Sequence, residues 1–263
     1  MMHDKPEPIG KHLTDLRAML IRMLVVVALA AGSAFAFAPA LFRLLQRPYL
    51  RILESAGRER ASVFLQTLEP SETFKISFTV ALILGSAVVL PYLLYELWRF
   101  IRTGLFPKER RFALPIVVSG TLLFFGGALF AYFMVVPLVL AFFWDYSLRL
   151  GVTPAWSISQ YIDFVLGLLV AFGLSFELPV VASILAAAGI VSAQMMRKIR
   201  GYAIFAICLV SALLTPSDVA SMLLMAIPLV ALYEISILIA TVIGRKQQMA
   251  VDTHRTQDGE IAP

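Results

Sequence analysis

Cysteine, histidine and charge are scarce in this chain of 263 residues, and each shortage closes off a class of function. The one cysteine, Cys208, sits inside an apolar run, so neither a disulfide framework nor a cysteine metal site is available. His3, His12 and His254 fall in the terminal segments, too scattered to share a metal ion. There is no HExxH, GxSxG, GxxxxGK(S/T) or GxGxxG, so catalysis and a cofactor are not expected. Charged residues make up only 15% of the chain against 60% hydrophobic, and mean hydropathy is +0.85. Soluble domains are about a quarter charged, so this composition describes a polytopic membrane protein. The net charge of +5 comes in short basic groups between apolar spans. That is how topology signals are distributed, and no nucleic-acid partner is expected.

Long apolar runs are what the chain does have. They read as six spans, at 23–42, 76–98, 112–143, 164–188, 202–214 and 219–244. The expected fold is an all-α integral membrane protein, a concave bundle of six transmembrane helices. Residues 1–244 form one domain, and 245–263 are a polar tail expected to be disordered. The fifth span covers only about 20 Å at 1.5 Å per residue, well short of a hydrocarbon core of about 30 Å. It and the sixth span are read as short, thinning the bilayer locally. Within the first long connection, 48–53 suits a short helix on the membrane surface, and Ser71 suits a helix N-cap. Fifteen of the 22 Lys and Arg lie in the N-terminal segment, 99–111, 189–201 and the tail. This bias places both termini in the cytoplasm, although the connection 43–75 carries six bases on the opposite side.

Inside the fourth run stands Glu177, followed by Pro179. The acid lies about 20 Å from one end of the run and about 16 Å from the other, close to the bilayer midplane. A charge there costs about 2.5–3.5 kcal/mol on insertion scales, and proline tends to kink the helix. A plain anchor requires neither, which makes Glu177 a candidate intramembrane polar site. A protonated acid bonded within the bundle is the bland alternative. Glu96 and Arg99, three residues apart, read as an ordinary helix-end pair. Asp218 reads as a cap for the last helix. Glu234, in the last span, suits partner contact or internal hydrogen bonding equally.

Eight short motifs occur in order: HLTDLR (12–17), EPSETFKIS (69–77), P-x3-Y-x2-W-x-F (91–100), GLFPKERR (104–111), AYFMVVP (131–137), FGLSFELP (172–179), LLTPSD (213–218) and IPLVALYEIS (227–236). Together they resemble the TatC family, the multispanning core of the twin-arginine protein translocase, over about residues 9–244. The resemblance implies a receptor in the cell inner membrane that exports folded proteins using the proton-motive force. It implies binding of twin-arginine signal peptides at the cytoplasmic face by Asp15 and Glu109, with Arg17 and Phe100 beside them. Two carboxylates suit two arginines, because a planar guanidinium is gripped bidentately. It also implies a multimeric complex with single-span TatA/TatB-type subunits, docked around Thr215, Pro216, Asp218, Met222 and Glu234. The sequence departs from the family pattern at Asp15 (usually Glu), Met19 (usually Arg), Thr103 (commonly Pro), Ser217 (often Pro) and Met222 (often polar). Two rivals stand beside this reading: a proton-coupled secondary transporter with Glu177 as carrier, and a membrane scaffold whose acids only hold helices together.

Overall fold

The computed structural model describes residues 9–55, 65–101, 113–187, 189–214 and 219–257. Nearly all of them are helical: α1 (Ile9–Ala36), α2 (Ala38–Ser55), α3 (Glu72–Val88), α4 (Leu90–Ile101), α5 (Ala113–Phe130), a π-helical turn (Ala131–Val135), α6 (Val136–Arg149), α7 (Ile158–Phe176), α8 (Leu178–Ala187), α9 (Ala193–Lys198), α10 (Arg200–Leu214) and α11 (Val219–Gln257). Among the described residues the only strand-like pairing is an isolated parallel bridge between Gln66 and Ser157. Four segments are long and apolar enough to cross a membrane: Thr14–Ala36, Pro115–Arg149, Ile158–Ala187 and Met222–Arg245. The pair α3–α4 makes a fifth if it counts as one span bent by 59°. At 15 residues, α10 is apolar but covers only about 22 Å. The chain is a multi-pass, all-α membrane protein.

Residues Met1–Leu122 with Thr153–Leu166 form one compact unit, in which α1 packs on α3 and α4, and α2 packs on α3. The first helix starts well before its apolar run and ends just ahead of Phe37, two residues before Pro39, which has no N–H to continue the ladder. α2 is longer than the 48–53 helix expected. Leu45, Tyr49, Ile52 and Leu53 are buried along one side, while Arg43, Arg47 and Arg51 are exposed at a four-residue spacing along the other. Half of the bases in the first long connection thus belong to the polar side of an amphipathic helix. At Gly85 the backbones of α3 and α1 nearly touch: a Cβ there would stand 2.9 Å from Ala31 Cα and N.

Ser71 precedes α3, but its side chain makes no capping bond, contrary to expectation. The carboxylate of Glu72, the first residue of the helix, instead binds donors that lie outside it. It accepts N–H groups from Leu68 (2.6 Å) and Glu69 (3.3 Å) on one oxygen, and from Ser159 (3.0 Å) plus the Ser157 hydroxyl (2.6 Å) on the other. The same connection carries the bridge, with Gln66 N donating to Trp156 O and Ile158 N to Gln66 O. Tyr161 donates to Leu45 O at 2.6 Å, and the Tyr49 ring packs against both Trp156 and Tyr161.

The second unit comprises Leu123–Val152 and Gly167–Pro263. Here α11 is the spine on which α8, α9 and α10 pack. Ala182, Ala186, Met196, Tyr233, Ile237 and Ala240 form a buried cluster, and Tyr233 donates to Met196 O at 2.9 Å. Gly127 allows close contact with α7, since a Cβ there would meet Phe172 O at 2.6 Å. α11 continues as far as Gln257, where a disordered tail was expected beyond Arg245. Residues 245–250 are Arg, Lys, Gln, Gln, Met and Ala, all strong helix formers, and no glycine or proline interrupts before Gly259.

The long third span contains an irregularity with no obvious sequence signal. Val117, Gly120, Phe124, Gly127 and Ala131 are buried at alternating steps of three and four. A regular helix would next bury Met134 and Leu138, yet these are 63% and 53% exposed, while Val135 and Val139 are buried. The π turn at Ala131–Val135 supplies the one-residue slip.

Candidate functional site

On α1, Asp15, Ala18, Met19 and Arg22 recur at helical spacing and so share a side; on α4, Glu96, Arg99 and Phe100 do the same. Where these two stripes meet they line an open pocket of about 170 Å³. Its most deeply buried charged group is Glu96, whose side chain is 4% exposed. Arg22 Nη2 donates to Glu96 Oε2 at 2.9 Å, across 74 residues of sequence. Arg99 Nη1 lies 3.5 Å from Glu96 Oε1, and the Tyr92 hydroxyl 3.4 Å from the same oxygen. A buried carboxylate without such donors would be strongly disfavoured, and these contacts supply them. Asp15 is exposed and forms no hydrogen bond or ion pair among the described residues.

Of the residues assigned to peptide binding, the pocket brings together Asp15 and Phe100. Arg17 is exposed and not part of the lining, and Glu109 lies outside the described residues. Glu96 and Arg22 were missed. Glu96 and Arg99 do pair as the spacing suggested, but the shorter bond to Arg22 is invisible to any local pattern. Met19, a departure from the family pattern, is buried at 4% exposure and adds an apolar side chain to the lining.

Glu177 stands between α7 and α8, at the one described residue of the fourth span that is not α-helical. Its N–H bonds to Leu174 O at 3.1 Å in a tightened turn, and Pro179 at the second position of α8 donates nothing. Glu177 Oε1 is buried without a hydrogen-bond partner among the described residues. Of the docking residues, Thr215, Pro216 and Asp218 lie outside the described residues, as does Ser217, while Met222 is half-buried near the start of α11. Glu234 is engaged within the chain: Arg200 Nε lies 2.6 Å from its Oε1. No group of three or more metal-ligating side chains occurs among the described residues.

Comparison with known proteins accords with this architecture. The family described as Sec-independent protein translocase protein (TatC) matches residues 11–228. The chain is 38% identical to the Sec-independent protein translocase protein TatC of Aquifex aeolicus, over 92% of this chain and 98% of that one. It is 36% identical to the TatC protein of Escherichia coli K12, over 90% of this chain and 89% of that one. A crystal structure described as the twin arginine translocase receptor TatC superposes with a TM-score of 0.79 at 39% identity, covering 88% of this chain and 99% of the other. The chain therefore belongs to the TatC family and is a membrane component of a Sec-independent protein translocase.

Proposed function

We propose that this subunit is the receptor of the translocase, and that the pocket between α1 and α4 takes the paired arginines of a signal peptide. The observation that carries the reading is the pocket lining itself: two carboxylates, Asp15 and Glu96, beside the Phe100 ring. Asp15 is exposed and without a partner among the described residues, so it can accept an incoming guanidinium at no cost in internal bonds. Phe100 offers a flat apolar surface on which a guanidinium can stack. Glu109, in the basic segment before α5, is assigned as a further acid of the same surface. The pocket then faces the cytoplasm in a six-span arrangement with both termini on that side, in the cell inner membrane. Single-span TatA/TatB-type subunits dock around Thr215, Pro216, Asp218, Met222 and Glu234, and the proton-motive force drives export.

The test is binding of a labelled RR signal peptide, and its KK counterpart, to purified variants in detergent. Asp15→Lys and Glu109→Arg should each weaken RR binding by roughly 10- to 150-fold, the equivalent of one charge-assisted contact of about 1.5–3 kcal/mol. Asp15→Glu should be tolerated. If both charge reversals bind within a factor of two of the parent, the arginine pair is read elsewhere.

A further inference from the structure

The lining of the pocket contains two acids, Asp15 and Glu96, and two bases, Arg22 and Arg99. For a site that receives cations this composition is self-opposed: the formal charges cancel. The two bases are not equivalent. Arg22 holds Glu96 at 2.9 Å, within the range of a strong charge-assisted bond, whereas Arg99 stands at 3.5 Å, at its limit. Exposure is also unequal within the tighter pair. The Glu96 side chain is 4% exposed, so it belongs to the wall, while Arg22 is 43% exposed and reaches it from the open side.

We propose that Arg22 is an internal stand-in for a ligand arginine: in the empty pocket its guanidinium occupies Glu96, and a peptide arginine enters by displacing it. The proposal rests on the reading of the pocket as an arginine-pair receptor. Exchange of one guanidinium for another on the same carboxylate leaves the number of charge-assisted bonds unchanged. Glu96 is never left buried and uncompensated, and the released Arg22, already half in solvent, is readily hydrated. Such an exchange contributes little net affinity, which suits a receptor that must release its cargo. It contributes selectivity instead. A lysine ammonium is a strongly hydrated point charge without the planar fork, and it competes poorly against a guanidinium already in place. The stand-in therefore raises the threshold for every incoming cation, and raises it more for an ammonium than for a guanidinium.

The experiment compares RR and KK peptide binding to the full chain in detergent, as parent, Arg22→Gln and Arg99→Gln. Arg22→Gln should tighten RR binding by roughly tenfold, since the ligand no longer competes for a bond of this kind. Arg99→Gln should tighten it by no more than about threefold, the smaller effect of a long, exposed contact. The RR-to-KK ratio should change in Arg22→Gln, and adding Glu96→Gln to it should abolish the gain. Equal tightening by both variants would show a simple effect of net charge and overturn the proposal. So would unchanged or weaker RR binding by Arg22→Gln, which would make Arg22 a positioning residue for Glu96. If Arg22→Gln does not fold, Arg22→Lys gives the same comparison, with an expected gain of about threefold. A parent that fails to prefer RR over KK sinks the receptor reading and this proposal together; a parent that prefers RR, with no gain in either Arg22 variant, sinks the proposal alone.

Discussion

Ser157 donates its hydroxyl to Glu72 at 2.6 Å, joining segments 85 residues apart. With Leu68, Glu69 and Ser159 donating as well, the carboxylate closes four hydrogen bonds ahead of the apolar run that begins at Ile76. Those donors, the Ser157 hydroxyl foremost, hold its pKa down at about 2, against an ordinary 4.5. A depressed folded-state pKa means that the unfolded chain binds more protons between about pH 4.5 and 2. The contribution to stability is therefore complete above about pH 4.5 and is lost as pH falls toward 2. Glu72→Gln should lower Tm in detergent at pH 7, because its amide brings a donor against donors, and Ser157→Ala should lower it less. The gap in Tm between parent and Glu72→Gln should narrow as the solution is acidified from neutrality toward the pKa of Glu72. A gap independent of pH would mean that the carboxylate is not the titrating element.

Gly85 and Gly32 form an internal control for helix contact. A Cβ at Gly85 would stand 2.9 Å from the Ala31 backbone, whereas one at Gly32 would meet nothing within 4 Å. Gly85→Ala should cost about 1–3 kcal/mol, since backbone must move to admit it. Gly32→Ala should be neutral or stabilise by up to about 1 kcal/mol through helix propensity. Thermal unfolding of the purified variants checks both. Equal behaviour of the two would mean that α1 and α3 are not packed backbone to backbone.

Glu177 is expected to matter more for transport than for folding. Its buried Oε1, unpartnered among the described residues, stabilises nothing there, so Glu177→Gln should accumulate at the parent's level. Glu177→Ala should reduce export of a folded reporter by a larger factor than it reduces protein abundance. Matched losses of export and abundance would make the residue structural.

The connection 43–75 is expected on the periplasmic side despite its bases. A cysteine at Ser62, with Cys208 replaced by alanine, should react with a membrane-impermeant thiol reagent in intact spheroplasts. Reaction only after lysis would invert the topology.

Much of this fold can be read from hydropathy, because a bilayer demands long apolar helices and the chain offers few other ways to satisfy it. The helix interruptions at Phe37, Val89 and Glu177 could be anticipated from Pro39, Pro91 and Pro179. The pocket was half legible: Asp15 and Phe100 sit in recognisable motifs, but Glu96 acquires its meaning from Arg22, 74 residues away. Local spacing pointed Glu96 at Arg99, and a base from a distant segment made the shorter bond; it pointed to Ser71 as a cap, whereas the hydrogen bonds there join the Glu72 carboxylate to Leu68, Glu69, Ser157 and Ser159. Long-range hydrogen bonds leave no periodic trace in a sequence.

The π turn at Ala131–Val135 makes the third span one residue longer than its two buried stripes need. Each residue of an α-helix turns the chain by about 100°, so a deletion within α5 or α6 would swing everything beyond it out of register. A deletion inside the turn would do the opposite. It would relax the turn into regular helix and leave Phe124 and Val139 each on the side they already occupy. The span therefore has one place where its length can change without its packing changing, and that place is the AYFMV segment.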